Sequence, residues 1–142
     1  MGKAKVFERP FRVAANDIDG LGHVNNVVYL RYAQDAAVAH WFAAVPEEHA
    51  ESIVWVVRRH EIDYLHPAFK DDELIARTWV GKATAATSER VVEIWRPKDN
   101  QLLARIRSVW VPLDAETHRP QRVDESLRSY FEDESSPQAE PS

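Results

Sequence analysis

Residues 16–30 read Asn-Asp-Ile-Asp-Gly-Leu-Gly-His-Val-Asn-Asn-Val-Val-Tyr-Leu and lead directly into the longest helical pattern of the chain. Two glycines follow Asp19 within three positions, and glycine lets the backbone turn sharply. After this turn, Asn25 or Asn26 can cap the helix, whose first amides are unpaired donors at a positive dipole end. The segment therefore predicts a carboxylate, Asp19, just ahead of a pocket suited to an oxyanion.

The helical pattern runs from about Asn26 to Ala44. Its apolar residues recur every three or four positions, which is the period of a helix with one buried face. Alanine is frequent in its middle, so we expect a slim helix around which a sheet can curve closely. Pro46 ends the pattern.

Strands account for most of the remaining chain. Phe11 and Val13 form a short strand before the glycine turn, and the chain after Ser52 alternates in the manner of strands. In the first of these, Ile53–Leu65, the apolar positions change from odd to even numbers. Because one extra residue exchanges the two faces of a strand, this change predicts a bulge near Arg58-Arg59.

Three further strands, separated by turn-forming residues, complete a meander: Leu74–Val80, Arg90–Trp95 and Leu102–Val111. The fold class predicted is α+β, with a five-stranded antiparallel sheet and one long helix that covers one of its faces. We expect a second subunit to cover the surface of the sheet that the helix leaves open.

Length and composition set further limits. We predict a single domain over residues 1–132 and an acidic, flexible tail over residues 133–142, which has no apolar side chain larger than alanine. The net charge of −5 disfavours a nucleic-acid partner. With no apolar run long enough for a bilayer and no signal-peptide core, we expect a cytoplasmic protein that does not insert into membranes. The absence of cysteine excludes disulfides and thiol nucleophiles.

Residues 17–32, Asp-Ile-Asp-Gly-Leu-Gly-His-Val-Asn-Asn-Val-Val-Tyr-Leu-Arg-Tyr, resemble the signature of hot-dog-fold acyl-CoA thioesterases of the 4-hydroxybenzoyl-CoA thioesterase family. Residues 61–68, 72–74, 111–114 and 117–120 resemble later blocks of that family in the same order. The resemblance covers the chain from about Val6 to Leu127. It implies a sheet wrapped around the long helix, a homodimer or homotetramer with active sites at the dimer interface, and hydrolysis of an acyl-CoA or related thioester.

The resemblance places the catalytic carboxylate at Asp19 and a carbonyl-polarising backbone amide at Asn26 or a neighbour. Thioester hydrolysis fits these groups independently, because it needs a base or carboxylate nucleophile together with donors aimed at the oxyanion. His23 and Asn25 are added as polar helpers, since this chain has His-Val-Asn-Asn where the 4-hydroxybenzoyl-specific member has an apolar and aromatic run. That difference argues against a 4-hydroxybenzoyl substrate.

The candidate substrate-binding residues are Gly22, Tyr29, Arg59, Thr87 and Ser88. We expect no metal and no cofactor, because coenzyme A is part of the substrate. A calcium loop fails, since Leu21 and Val28 stand where an EF-hand needs oxygen ligands.

Structural roles remain open for most of these residues. Asp19 can instead cap its own turn, His23 can hold the loop by hydrogen bonds, and the asparagines can be ordinary helix caps. Tyr29 can belong to the core, Arg59 to a solvated or dimer-contacting surface, and the pair at 87–88 to a loop end.

Three functions follow from the sequence. An acyl-CoA thioesterase that uses Asp19 is favoured. A hot-dog hydratase or dehydratase that leaves the thioester intact is the second, and a non-catalytic acyl-thioester binding subunit is the third.

Overall fold

The computed structural model describes residues 3–133, so the predicted tail lies outside the described residues apart from Asp133. In chain order the elements are β1 (Lys3–Ala4), β2 (Phe7–Arg12), a 3-10 turn (Ala15–Asp17), α1 (Val28–Ala44), α2 (Glu47–Glu51), β3 (Ile53–Tyr64), β4 (Glu73–Ala83), β5 (Ser88–Arg96), a second 3-10 turn (Pro97–Asp99), β6 (Gln101–Asp114), α3 (Glu125–Ser129) and β7 (Glu132–Asp133). None of the helices within residues 3–133 is long and apolar enough to cross a bilayer.

Five strands form one antiparallel sheet in the order β2-β4-β5-β6-β3, and α1 packs against it. Ala33, Ala36 and Ala37 are buried, which keeps the backbone of α1 close to the strands. The opposing sheet contributes fully buried side chains, among them Leu74 and Ile106. The predicted α+β hot-dog arrangement, including the β4-β5-β6 meander, is confirmed.

The predicted bulge in β3 is present. The register of β3 on β6 shifts between Val57 and Arg59. Before the shift Trp55 lies on the face toward α1, and after it Ile62 and Tyr64 lie on that same face. The extra residue therefore keeps apolar side chains on the concave side along the whole strand.

The outer face of the sheet carries a row of charges that crosses all five strands. The register aligns Glu8, Arg77, Glu93, Arg105 and Asp63 side by side, so the sign alternates at every step. Arg77 Nε lies 3.0 Å from a Glu8 carboxylate oxygen, and Arg105 Nη2 lies 3.6 Å from one of Glu93. The face that α1 leaves open thus has a charged centre, and opposite charges on neighbouring strands stabilise the pairing modestly.

Two local features differ from the sequence-based expectation. The helix begins at Val28 rather than near Asn26, and no side chain caps it. The Val28 amide donates to the Asn25 backbone oxygen, so residues 25–28 form a turn that leads into the helix. The short helix α2 was not predicted, although Pro46 as its N-cap and two glutamates in its first turn are typical of a helix start.

Candidate active site

The loop ahead of α1 is a tight turn closed by its own backbone. The Gly22 amide donates to the Asp19 oxygen at 3.1 Å, and the Asp19 amide donates to the His23 oxygen at 3.0 Å. Gly22 has a φ of +88°, a conformation that favours glycine. Oδ1 of Asp19 accepts from the Leu21 amide at 2.9 Å, so the carboxylate caps this turn.

A second carboxylate, that of Asp17, holds the loop in place. The buried side chain of Asp17 accepts from the Ala14 amide at 3.0 Å, from Arg31 Nη2 at 2.8 Å and from the Tyr32 hydroxyl at 2.8 Å. Burial alone would raise the pKa of Asp17, but these hydrogen bonds together hold it below its ordinary value. The Asn25 amide donates to the Asp17 backbone oxygen at 3.0 Å. Asp17 therefore fixes the loop against α1.

A cavity of about 250 Å³ opens where the start of α1 meets the end of β3. The Tyr64 hydroxyl donates to the Asn26 backbone oxygen at 3.2 Å, and the rings of Tyr64 and Tyr29 meet edge to face at 5.6 Å. These contacts join the strand end to the helix start. The residues that line the cavity, called the cleft below, are His23, Val24, Asn26, Tyr29, Tyr64, Leu65, His66 and Pro67.

The backbone amides at the helix start differ in whether they have an acceptor. The amide of Val27 donates to Oδ1 of Asn25 at 3.2 Å, that of Val28 to the Asn25 oxygen at 2.9 Å, and that of Tyr29 to the Asn26 oxygen at 3.3 Å. Within residues 3–133 the Asn26 amide has no acceptor. Asn26 lines the cleft, and a free N–H at a helix start is suited to binding a developing oxyanion.

His23 connects the Asp19 carboxylate to the cleft. Its Nδ1 lies 4.0 Å from Oδ1 of Asp19, and both side chains are partly exposed, at 33% and 26% respectively. The His23 imidazole lines the cleft, whereas Asp19 is not among the residues that line it. Phe69 meets the other side of the imidazole at a centroid distance of 6.5 Å. The imidazole therefore lies between the carboxylate and the cavity.

A buried arginine, Arg96, holds Pro67 in the cleft wall. Arg96 Nη1 donates to the Pro67 oxygen at 3.2 Å and to Oδ2 of Asp72 at 3.0 Å. Its Nε and Nη2 form a bidentate pair with Asp99, and this pair, followed by the Asp72 bond, raises the pKa of Arg96 above its ordinary value. The segment that follows β3 is thus fixed relative to the sheet.

The sequence-predicted site residues fall into two groups. His23, Asn26 and Tyr29 line the cleft, and Asp19, Gly22 and Asn25 belong to the adjoining loop.

The other predicted contacts lie elsewhere in the chain. Arg59 pairs with Glu61 at 3.1 Å on the outer face of β3, and Thr87 contacts Thr84 at 2.8 Å in the β4–β5 turn. Ser88 lines a different cavity, near the C-terminal half of α1.

Residue-by-residue reasoning did not select the contribution of the β3 end to the cleft. Tyr64, Leu65 and His66 line it, and all three fall in the 61–68 block whose resemblance to the thioesterase family was noted. The sequence held one signal for this contribution. The three residues stand at the end of a strand, and two of them, Tyr64 and His66, can donate hydrogen bonds. Within residues 3–133 no three His, Asp or Glu side chains lie close enough together to hold a metal ion.

A family model described as the thioesterase-like superfamily matches residues 13–131, which include the loop, α1 and the strands of the cleft. The chain belongs to this superfamily. Solved structures of similar fold support the architecture of this thioesterase-like protein. The probable thioesterase YbaW of Escherichia coli aligns with a TM-score of 0.77 at 22% identity, covering 87% of this chain and 94% of that one.

A 1,4-dihydroxy-2-naphthoyl-CoA thioesterase of Synechocystis aligns with a TM-score of 0.76 at 19% identity, over 89% of this thioesterase-like chain and 95% of the other. Among curated proteins, a chloroplastic palmitoyl-acyl carrier protein thioesterase of Cuphea hookeriana is 22% identical over an alignment of 136 residues that covers 89% of this chain. The match spans 33% of that relative, so the chain covers about a third of its length.

Proposed function

We propose that this thioesterase-like protein hydrolyses the thioester of an acyl-CoA, or of a related acyl thioester, at the cleft between the start of α1 and the end of β3. The observation that carries the proposal is the Asn26 amide, which has no acceptor within residues 3–133 and belongs to a residue of the cleft wall that His23 also lines. His23 in turn lies within 4.0 Å of the Asp19 carboxylate. Asn26 and His23 thus belong to one cavity wall, and the Asp19 carboxylate lies next to that wall beside the imidazole.

In the proposed reaction, water attacks the thioester carbonyl carbon and its proton passes to Asp19, either directly or through the His23 imidazole. The tetrahedral oxyanion is stabilised by the Asn26 amide. The carbon–sulfur bond then breaks, and the thiolate leaves and takes up the proton, so that a carboxylic acid and a free thiol are formed. Direct attack by Asp19 would give an acyl anhydride that water then hydrolyses, with the same products.

The thiol carrier is part of the proposal. The Synechocystis structure is that of a CoA thioesterase, whereas the Cuphea relative acts on palmitoyl-acyl carrier protein. Both carriers present the thioester on a thiol arm, and coenzyme A carries phosphates at its other end. We therefore propose acyl-CoA as the first substrate to test, with acyl carrier protein thioesters in parallel.

The decisive experiment measures release of free thiol from a panel of acyl-CoAs, for the natural protein and for Asp19→Asn. The asparagine keeps an oxygen for the Leu21 amide but cannot take a proton, so turnover should fall by about 10²–10⁴. The matched control is Asp35→Asn on the exposed side of α1, which should leave turnover unchanged.

Other outcomes separate the alternatives. Undiminished hydrolysis by folded Asp19→Asn and Asp19→Ala would reject the proposed role of Asp19. Hydration of an enoyl thioester without thiol release would assign the chain to the hydratases, and binding without turnover would assign it to the acyl-thioester binding subunits.

We also propose that two copies of the chain associate through β3. This strand is at the edge of the sheet and is 12 residues long, so its outer backbone groups are available to another strand. Three exposed valines, Val54, Val56 and Val57, lie along it. The charge row on the outer face makes that face a poorer apolar contact than this edge.

A further inference from the structure

A second cavity, of about 90 Å³, lies at the other end of α1 from the cleft and shares none of its lining residues. The two cavities contact α1 at Ala37 and Tyr29 respectively, eight residues or about 12 Å apart along the helix. Trp41 and the aromatic Phe131 supply apolar walls, and α3 closes one side. We call it the tryptophan cavity because Trp55 and Trp110 also line it.

A buried guanidinium without a counter-charge lines this cavity. Arg90 is 7% exposed, and its Nη1 donates to His40 Nδ1 at 3.0 Å and to Thr78 Oγ1 at 2.9 Å. No carboxylate within residues 4–132 lies within ion-pair distance of it. Buried charges in proteins are usually paired, so this one is incomplete in the isolated chain.

The neighbours of Arg90 do not supply the missing negative charge. Burial lowers the pKa of Arg90 to about 10, and burial followed by the Arg90 charge lowers the pKa of His40 to about 4. His40 is therefore neutral, with Nδ1 as acceptor and the proton on Nε2. The Nε and Nη2 atoms of Arg90 have no acceptor among the described residues.

Two further donors without partners belong to residues of the cavity wall. The indole Nε1 atoms of Trp55 and Trp110 are buried and have no hydrogen-bond partner among the described residues. Ser88 and Arg128 are the other polar residues of this wall besides Arg90, and no Asp or Glu of residues 4–132 lines it. The charge that the cavity leaves uncompensated is therefore positive, and a buried group of this kind requires an explanation.

We propose that the tryptophan cavity binds a small organic monocarboxylate, whose carboxylate accepts from the Nε and Nη2 groups of Arg90 and whose short apolar body packs against the aromatic walls. Carboxylate and guanidinium form charge-assisted hydrogen bonds, which are the strongest class available here. An apolar cavity of about 150 Å³ accommodates benzene, so a volume of about 90 Å³ holds the carboxylate and the first carbons of a short chain, whose end extends through the open side of the cavity. The site does not depend on the proposed hydrolase activity.

The first test uses the natural protein and three probes of equal length, namely pentanoate, pentan-1-ol and pentylammonium. Indole N–H signals in two-dimensional ¹H–¹⁵N spectra report on the five tryptophans, and Trp→Phe variants assign them. Pentanoate should shift the Trp55 and Trp110 signals and bind about tenfold more tightly than pentan-1-ol, because it alone pairs with the guanidinium. Pentylammonium should shift neither signal.

Variants of the lining residues locate the site. Trp110→Phe keeps an aromatic ring but makes this wall smaller, and the lost apolar contact should weaken pentanoate binding about two- to tenfold. Arg90→Met should reduce it to the level of pentan-1-ol, provided that the variant keeps a cooperative melting transition. The matched control is Trp79→Phe, on β4 but outside the cavity lining, which should leave binding unchanged.

Three results would overturn the proposal. Equal effects of pentanoate and pentan-1-ol would show an apolar pocket without anion selectivity. Unchanged indole signals with all three probes would show that none of them enters the cavity. Binding of pentanoate that Trp110→Phe and Trp79→Phe weaken equally would place it elsewhere.

Discussion

The Asp19 carboxylate and the His23 imidazole face each other across the Gly22 turn, with Oδ1 and Nδ1 4.0 Å apart. The Asp19 amide also donates to the His23 backbone oxygen, so the backbone itself ties the two residues together. The side chain that reaches the cleft wall is the imidazole. The proposed base is therefore connected to the cleft through the His23 imidazole.

The imidazole of His23 should matter for turnover. His23→Phe keeps a ring against Phe69 but removes both nitrogens, and we expect thiol release to fall by about 10²-fold if the proton passes through this residue. The control is His66→Phe, which removes an imidazole from the same wall and leaves the Asp19 contact intact. Full turnover by a folded His23→Phe protein would assign His23 to holding the loop.

The backbone amide of Asn26 can be tested by a pair of substitutions. Asn26→Pro removes the N–H that lacks an acceptor and should lower turnover by about 10²–10³, the usual effect of losing one oxyanion donor. Asn26→Ala keeps the N–H and should retain most of the activity. Equal activity of the two variants, measured by thiol release with matched melting temperatures, would rule out this amide as the oxyanion donor.

His40 should make the protein less stable in mild acid. Its folded pKa of about 4 lies below the unfolded value of about 6.5, so the unfolded chain binds the proton first as the pH falls. The stabilisation from neutral His40 is complete above about pH 6.5 and is lost as the pH falls toward 4, by about 3 kcal/mol in total.

In His40→Asn, the asparagine side chain offers Arg90 an amide oxygen as acceptor, and asparagine does not titrate. Urea unfolding between pH 4 and 7 should therefore show a flatter profile for this variant than for the natural protein. The same substitution at the exposed His118 serves as the control and should not change the slope. Parallel profiles for His40→Asn and the natural protein would contradict the assignment.

The association of two copies through β3 predicts the effect of a charge on this edge. Val56 is 45% exposed, and Val56→Lys should convert a dimer to a monomer in sedimentation velocity because lysine on an edge strand opposes pairing. Val6→Lys, at an equally exposed valine outside β3, should leave the dimer intact. A natural protein that sediments as a monomer at micromolar concentration would reject the proposal.

Much of the fold was predictable because it depends on local periodicity. The spacing of apolar residues located α1, and the change from odd to even positions located the bulge beside Arg58. The pairing of Lys3–Ala4 with Glu132–Asp133 was not predictable, since two-residue strands carry no periodic signal and their partner is remote in sequence.

Only the part of the candidate site whose residues lie close together in the sequence was predictable. The order of residues in the loop indicated Asp19, His23 and Asn26, which lie within eight positions of one another. The contribution of Tyr64 depends on how β3 returns to the start of α1, which sequence spacing does not determine. Arg90 was missed as a buried charge, although its even-numbered position with Val92 and Ile94 places it on the inner face of β5.

The bulge in β3 also determines whether charged or uncharged side chains of this strand face the cleft. If β3 lacked its extra residue, the even-numbered side chains after it would turn outward, and Glu61 and Asp63 would face the helix in place of Ile62 and Tyr64. Two carboxylates would then repel the phosphates of a coenzyme A ester. The extra residue at the bulge thus keeps Glu61 and Asp63 on the outer face of β3, away from the cleft proposed to receive the substrate.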